Sequence, residues 1–354
     1  MYGNTVSTKK RKNIPVFIPH LGCPNTCVFC NQRSISGTRE FDREGVRAYI
    51  EESISTLPDG SDAEIAFFGG SFTGIDRELM IYLLDLAEDF VKCDYSRDIT
   101  VSGIRMSTRP DYISDEILDL LDAYSVKAIE LGLQSMDDGV LLASKRGHTS
   151  LDAERACRMI KSRGKYELVG QMMIGLPHST PKSEMESARK IIELGADAVR
   201  VYPTVVFFGT ELCEMAKAGD YAPLSTQEAV ERSARVIELF MNVGVKVLRI
   251  GLCASENLSS DEQVYGGANH AALGELVMSE LYRERMENAI REKLNGEKRV
   301  VFVFDPSEIS KATGQHRSNI NYLTERFGLD GVRVCASVKE SAENDGTLVI
   351  SMKI

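Results

Sequence analysis

A repeated alternation of short apolar runs with amphipathic stretches constrains this chain more than any other feature. Runs at 14–19, 63–68, 100–107, 127–133, 167–174 and 198–203 read as strands, with a further candidate at 246–250. Helical periodicity lies between them over 43–56, 78–91, 114–124, 151–163, 182–194 and 226–243. Ser114, Asp115 and Glu116 supply helix-start chemistry, and Gly164, Gly195 and Gly244 fall where helices should end. Repeated strand–helix units imply a parallel sheet, because parallel neighbours need a crossover. Polar or glycine-rich clusters recur just after the strands: Gly69-Gly70-Ser71, Ser107-Thr108-Arg109, Gln134-Ser135 and Gly175-Leu176-Pro177. Chemistry spread over this many strand ends favours a βα barrel, open or closed, over a doubly wound sheet with its site at a switch point.

The character changes after Gly251. Residues 254–267 are polar and turn-rich, followed by an expected helix at 271–294, strand at 299–305, helix at 307–327 and strand at 332–338. Asn344-Asp345-Gly346 is a hairpin signal leading to a last strand at 348–354. The expected organisation is a basic tail over 1–12, a barrel core over 13–250 and a small α+β subdomain over 251–354.

No apolar run approaches the ~18 residues of a membrane span. The first dozen residues, ending Lys9-Lys10-Arg11-Lys12, lack the apolar stretch of a secretory signal. A cytoplasmic protein with no membrane partner is expected. Net charge is −10, from 42 basic and 52 acidic residues, which gives no general attraction to phosphate backbones. Eight cysteines in such a chain do not read as disulfides. Cys93, Cys157, Cys213, Cys253 and Cys335 stand singly among apolar residues and read as small buried side chains.

The other three crowd into Cys23-Pro24-Asn25-Thr26-Cys27-Val28-Phe29-Cys30, a C-x3-C-x2-C spacing on the loop after the first strand. Three thiolates on one tight loop can bind three irons of a [4Fe–4S] cube, whereas an electron carrier supplies four cysteines per cluster. No fourth cysteine is close in sequence, so one iron stays open, and an open metal position is what catalysis needs. The competing reading is a zinc site completed by His20 or a distant ligand. Zinc sites usually pair two ligand modules, and no second module exists here. His20 reads instead as a structural loop residue.

These residues resemble the radical S-adenosylmethionine (radical SAM) superfamily, with Phe29 in the motif's aromatic position before the last cysteine. Gly69-Gly70-Ser71-Phe72-Thr73-Gly74, Ser107-Thr108-Arg109-Pro110 and Glu130-Leu131-Gly132-Leu133-Gln134-Ser135 resemble the catalytic subunit of elongator. So do Arg146-Gly147-His148-Thr149 and Val201-Tyr202-Pro203-Thr204 with Gly209-Thr210-Glu211-Leu212. The likeness runs over about 14–250, with the motifs in family order. It implies a partial (β/α)6 barrel, like a TIM barrel left open. It implies a [4Fe–4S] cluster on Cys23, Cys27 and Cys30, with S-adenosylmethionine on the open iron through its amino and carboxylate groups. Reduction by an external donor such as flavodoxin or ferredoxin would cleave the sulfonium bond to methionine and a 5′-deoxyadenosyl radical, which takes hydrogen from a substrate.

Beside that resemblance the residues have physical readings of their own. Gly69 and Gly70 let backbone approach a ligand closely, and by resemblance they hold the methionine amino group. Ser71 and Thr73 offer hydroxyls, or simply turn chemistry. Ser107 and Arg109 suit the carboxylate or ribose, Arg109 by its bidentate fork. Glu130, inward on an apolar strand, needs a partner such as Arg105 or Arg109. Gln134, at i+4 from Glu130 and sharing its face, is placed to touch cofactor or substrate. His148 either faces the barrel opening or is a plain loop residue. The run 170–177 resembles the family's adenine-packing motif, where Met172 and Met173 read as core and the backbone near Gly175 as the contact. Tyr202 suits adenine, substrate or ordinary packing.

Two features depart from elongator. The cysteine spacing keeps the three residues of the wider superfamily, where elongator's is wider. The 103 residues after Gly251 show no glycine-rich pyrophosphate turn, so acetyltransferase activity is not expected. Lys311, His316, Arg317 and Arg326 on the expected 307–327 helix form either an RNA-facing stripe or a solvated face. Gly266-Gly267-Ala268-Asn269-His270 either closes over the barrel mouth or starts a helix. The leading function is a radical SAM enzyme acting on an RNA nucleoside or a small metabolite; the alternative is a non-catalytic iron–sulfur or zinc-binding scaffold or regulatory protein.

Overall fold

A computed structural model describes residues 12–24, 27–32, 41–95, 97–252, 263–337 and 347–352. The basic tail through Arg11, Cys253 and the Asn344-Asp345-Gly346 turn lie outside the described residues. Strands β1 (Lys12–Phe17), β2 (Ser61–Phe68), β3 (Ile99–Thr108), β4 (Val126–Gln134), β5 (Glu167–Ile174), β6 (Ala198–Pro203) and β8 (Lys246–Ile250) form one seven-stranded sheet in that order. Every pairing in it is parallel. Between the strands lie α1 (Val46–Ser55), α2 (Arg77–Val91), α3 (Asp115–Asp122), α4 (Asp138–Ala143), α5 (Ser150–Ser162), α6 (Pro181–Glu193), α7 (Glu211–Ala218) and α8 (Thr226–Asn242). From α2 to α8, each helix begins on an Asp, Ser or Thr whose side chain accepts from the first-turn backbone. Such caps satisfy donors that a helix leaves orphaned, and they end each strand–helix loop sharply.

The sheet is curled and open: β1 and β8 are its edges and do not pair. The Arg200 guanidinium of β6 lies 5.5 Å from the Phe68 ring of β2. Four strand spacings would set these strands about 19 Å apart in a flat sheet. Curling brings them together across the concave face. This is the βα barrel favoured by the alternation, in the open, partial form implied by the resemblance, with strand bounds within two residues of the expected ones.

Beyond the barrel, β7 (Val205–Phe207) and β9 (Val264–Gly267) form an antiparallel ribbon. It is anchored at the β6 end, where Ala268 N–H donates to Thr204 O. Helix α9 (Leu273–Lys293) then leads to β10 (Arg299–Val303), α10 (Ile309–Thr313), α11 (Ser318–Phe327), β11 (Gly331–Cys335) and β12 (Thr347–Ser351). The hairpin expectation is corrected here: β11 and β12 flank β10 on opposite sides, and both run parallel to it. The single helix expected at 307–327 is broken at Gly314 (φ 76), with His316 and Arg317 left-handed, so the basic residues form no continuous stripe. One contiguous apolar core runs from the barrel through α9 to Val300 and Phe302 of β10. Cys157 and Cys213 are buried as expected, but Cys93 is exposed. No helix among the described residues is long and apolar enough to cross a membrane.

Candidate functional site

The C-terminal ends of the barrel strands gather nearly every residue singled out above. The cysteine loop follows β1 and is held from three sides. Ser71 N–H donates to Leu21 O, Val28 N–H to Ser144 O, and Leu212 N–H to Val28 O. Val28 is buried with Val206, Leu212, Cys213 and Tyr221, and Phe29 packs against the same cluster. Gly22 is left-handed (φ 71), and a Cβ there would lie 2.2 Å from Ser71 O. A Cβ on Gly70 would lie 2.4 Å from Leu21 O. The close backbone approach read for Gly70 is therefore to the chain's own cysteine loop. Gly69 (φ 88) turns the chain there, its carbonyl accepting from His20 N–H. His20 itself accepts at Nε2 from Gln32 N–H, the loop role expected for it.

Cys27 is buried, and Cys23 and Cys30 are partly exposed. Burial, reinforced by the neighbouring Cys27, raises the Cys23 thiol, while Arg109 and Arg146 pull it down. Burial with Cys27 and Cys23 pushes Cys30 up to about 12. As free thiols these two hold their protons; metal ligation would strip them. Among the described residues no three His, Cys, Asp or Glu side chains are grouped to hold one ion. Donors to a single zinc must converge to about 2.0–2.3 Å from one point. Thiolates bound to separate irons of a cube need not converge.

The other strand ends supply the rest of the rim. Ser71 is fully buried, its Oγ 2.9 Å from Thr108 Oγ1 and accepting from Arg109 N–H, and Thr73 also bonds Thr108. These hydroxyls stitch the β2 loop to the β3 end. Ser107 Oγ donates to Phe67 O. Arg109 is clamped in bidentate fashion by Asp111 at 2.9 Å, leaving Nη1 without an acceptor. Gln134 is left-handed (φ 61) at a register shift, so it does not continue the Glu130 face, and its Oε1 is buried and unpartnered. Gly175 N–H donates to Glu184 and its carbonyl accepts from Tyr221, so both backbone groups are engaged by protein. Tyr202 is half-buried at the β6 end.

Below the rim a buried ion network crosses the concave face. Glu130 is fully buried and bonded by Arg105 and by both nitrogens that Arg200 offers, at 2.7–2.9 Å. Arg105 also binds Glu64 and Glu167. The partner foreseen as Arg105 is thus joined by Arg200, while Arg109 is committed to Asp111. Burial alone would raise the Glu130 carboxyl; Arg200 and Arg105 outweigh it and hold it below the usual range.

Two rim residues carry more than the sequence assigned them. Arg146 is 6% exposed and donates from Nη1 to Cys27 Sγ at 3.1 Å and from Nη2 to Gly132 O at 2.7 Å. Its motif was legible, but not the contact, which spans 119 residues. His148 is 4% exposed, and neither ring nitrogen makes a full hydrogen bond. Burial, then Arg146 and Arg109, lower it to about 4, against weaker pulls from Asp111 and the Leu133 backbone. Unpartnered atoms on Arg109, Gln134, Arg146 and His148 at one barrel end fit a polar ligand beside the cysteines. A buried guanidinium aimed at Cys27 sulfur fits an anionic metal-bound thiolate.

Comparison with known proteins agrees with this architecture. The radical SAM superfamily profile matches residues 17–191, and a radical SAM C-terminal domain profile matches 196–283. A protein of Methanocaldococcus jannaschii without assigned function is 30% identical over 244 residues, 65% of this chain and 73% of that protein. The chain belongs to the radical SAM superfamily. Within it the chain is homologous to elongator complex protein 3. The Saccharomyces cerevisiae protein is 27% identical over 257 residues, 62% of this chain and 46% of its own length. A tRNA uridine(34) acetyltransferase of M. jannaschii is 28% identical over 200 residues, 52% of this chain and 37% of that protein. The matched part is thus less than half of either of these two. The fold is shared with N-terminally truncated Elp3 of Methanocaldococcus infernus at a TM-score of 0.62 and 22% identity, covering 80% of this chain and 64% of that one. Members of the superfamily are enzymes that use a [4Fe–4S] cluster and S-adenosylmethionine with an external reductant, and those are this chain's cofactors.

Proposed function

We propose that Cys23, Cys27 and Cys30 hold the cluster and that the rim beside them binds S-adenosylmethionine for hydrogen abstraction from a substrate. The observation that carries this reading is the cysteine loop, fixed at the strand-end rim with Cys27 buried and Arg146 aimed at its sulfur. When bound, cluster and S-adenosylmethionine supply reductive cleavage of a sulfonium bond, releasing methionine and a 5′-deoxyadenosyl radical. The chain's own residues orient and enclose. Gly22 and Gly70 lock the cysteine loop against the β2 loop, and Arg109, Gln134 and His148 offer unpartnered polar atoms to the ligand. Arg109, fixed by Asp111, suits the methionine carboxylate. His148, neutral at physiological pH, can donate or accept one hydrogen bond without adding charge. Below them the buried ion network of Arg105, Arg200, Glu64 and Glu130 fills the barrel floor.

We further propose a tRNA nucleoside as substrate, in a cytoplasmic setting, supported by the tRNA-directed name of one relative. Acetyl transfer is not part of this proposal. Anaerobic reconstitution tests the chemistry: about four irons per chain and conversion of S-adenosylmethionine to 5′-deoxyadenosine under dithionite are expected, with Cys27→Ala losing both. Stoichiometric zinc with no cleavage would favour the scaffold alternative and sink the enzyme reading. An altered tRNA nucleoside profile in a deletion strain tests the substrate, and an unchanged profile rejects it.

A further inference from the structure

Arg146 is a buried cation that no carboxylate matches among the described residues. Four arginines are buried among the described residues: Arg105, Arg109, Arg146 and Arg200. Glu64, Glu130 and Glu167 hold Arg105, Glu130 holds Arg200, and Asp111 holds Arg109. Arg146 has only the neutral Gly132 carbonyl, the Cys27 sulfur and an Nε with no acceptor. Burying a charge without its counter-charge is strongly unfavourable, so something anionic must complete this site.

The backbone is shaped to keep the guanidinium there. Lys145 and Gly147 on either side are both left-handed, at φ 52 and 75. Arg146 N–H donates to Leu141 O, and Ser144 O accepts from Val28 N–H, tying the arginine's loop to the cysteine loop. Gly132 leaves the room: a Cβ there would lie 3.2 Å from Arg146 Nη2. A neutral thiol is a weak acceptor and leaves the charge unmet. A metal-bound thiolate accepts the bond and meets the charge.

We propose that Arg146 is a positioning residue for the cluster, its guanidinium serving as the counter-charge of the Cys27 thiolate and raising the cluster's reduction potential. The inference rests on the reading that Cys27 holds an iron. Reduction adds one electron's charge to the cluster, and a fixed cation donating to a ligand sulfur favours the reduced state. In metal-free protein the same cation is a liability, so removing it should have opposite effects on the empty and loaded forms.

The test uses the full chain as wild type, R146Q and R146K, reconstituted anaerobically with iron and sulfide, with iron counted and the cluster titrated against applied potential by electron paramagnetic resonance. R146Q is expected to keep its iron while the ratio of reduced to oxidised cluster at a fixed potential falls about tenfold, a shift of about 59 mV for one electron. R146K, keeping the charge but not the fork, should fall between. Metal-free R146Q should melt no lower than metal-free wild type. A fully loaded R146Q with an unchanged midpoint overturns the proposal and leaves the ligand assignment standing. Should R146Q take up no iron, a metal-free melt equal to wild type supports the counter-charge role, and a clearly lower melt shows a merely structural one and overturns it. Wild type that binds no iron overturns the ligand assignment and this inference together.

Discussion

At Glu130 three guanidinium hydrogen bonds and one from an amide meet a single carboxylate. Arg105 donates one bond, Arg200 two, and Gln171 another, all within 2.7–2.9 Å, while Arg105 extends the network to Glu64 and Glu167. Removing one member leaves buried charges unmet, which costs about 3–5 kcal/mol. Glu130→Ala is therefore expected to lower stability by about that amount in chemical denaturation, and a loss under 1 kcal/mol would show the network relaxes. His148 gives a pH signature. Its folded pKa, about 4, lies below the ordinary value of 6.5, so between those values the unfolded chain binds a proton that the folded one refuses. Its contribution is intact above pH 6.5 and is lost as pH falls toward 4, amounting to at most about 3 kcal/mol. His148→Gln should flatten the melting profile across that window. A profile as steep as wild type would mean the ring titrates normally. The cysteine triad was readable because its signal is local. Arg146 was not, because its meaning depends on a sulfur 119 residues away, and the Arg200–Glu130 pair spans 70.

The elements were legible where apolar period and capping agree. Helices α5, α6 and α8 begin with reciprocal capping boxes at Thr149, Thr180 and Ser225, and their expected bounds were close. Ser225→Ala should cost about 1 kcal/mol, read as a lower denaturation midpoint with an unchanged slope. Elements of a few residues escaped notice: α4, β7 and β9 are too short to show a period. The expected 307–327 helix failed for a packing reason. Asn319 reaches back to the carbonyls of Ser279 and Ala312, and a Cβ on Gly314 would lie 2.4 Å from Ser318 Oγ. That contact fixes a break which helical periodicity alone hides. The cysteine loop makes the opposite point, since its conformation depends on Gly22 touching backbone of the β2 loop. Gly22→Ala combines that clash with a positive φ. The barrel should stay folded by circular dichroism while bound iron falls well below the wild-type amount; full loading would show the loop adapts.

For the whole molecule, the open sheet leaves a concave face whose floor is ionic and whose C-terminal rim carries the cysteines and the unpartnered polar atoms. Strand–helix alternation was enough to favour a βα barrel with its loops at one end, since parallel strands joined by helices place them there, and the resemblance supplied its openness. The partner on that rim was beyond such reasoning, because substrate choice is made by side chains meeting from distant strands. Three cysteine ligands would leave one iron of the cluster open to S-adenosylmethionine. The most direct test is the paramagnetic resonance spectrum of the reduced, reconstituted protein before and after S-adenosylmethionine is added. A changed spectrum is expected as the open iron acquires its ligand, with no such change when adenosine, lacking the methionine part, is added instead. An unchanged spectrum with a full complement of iron would contradict it.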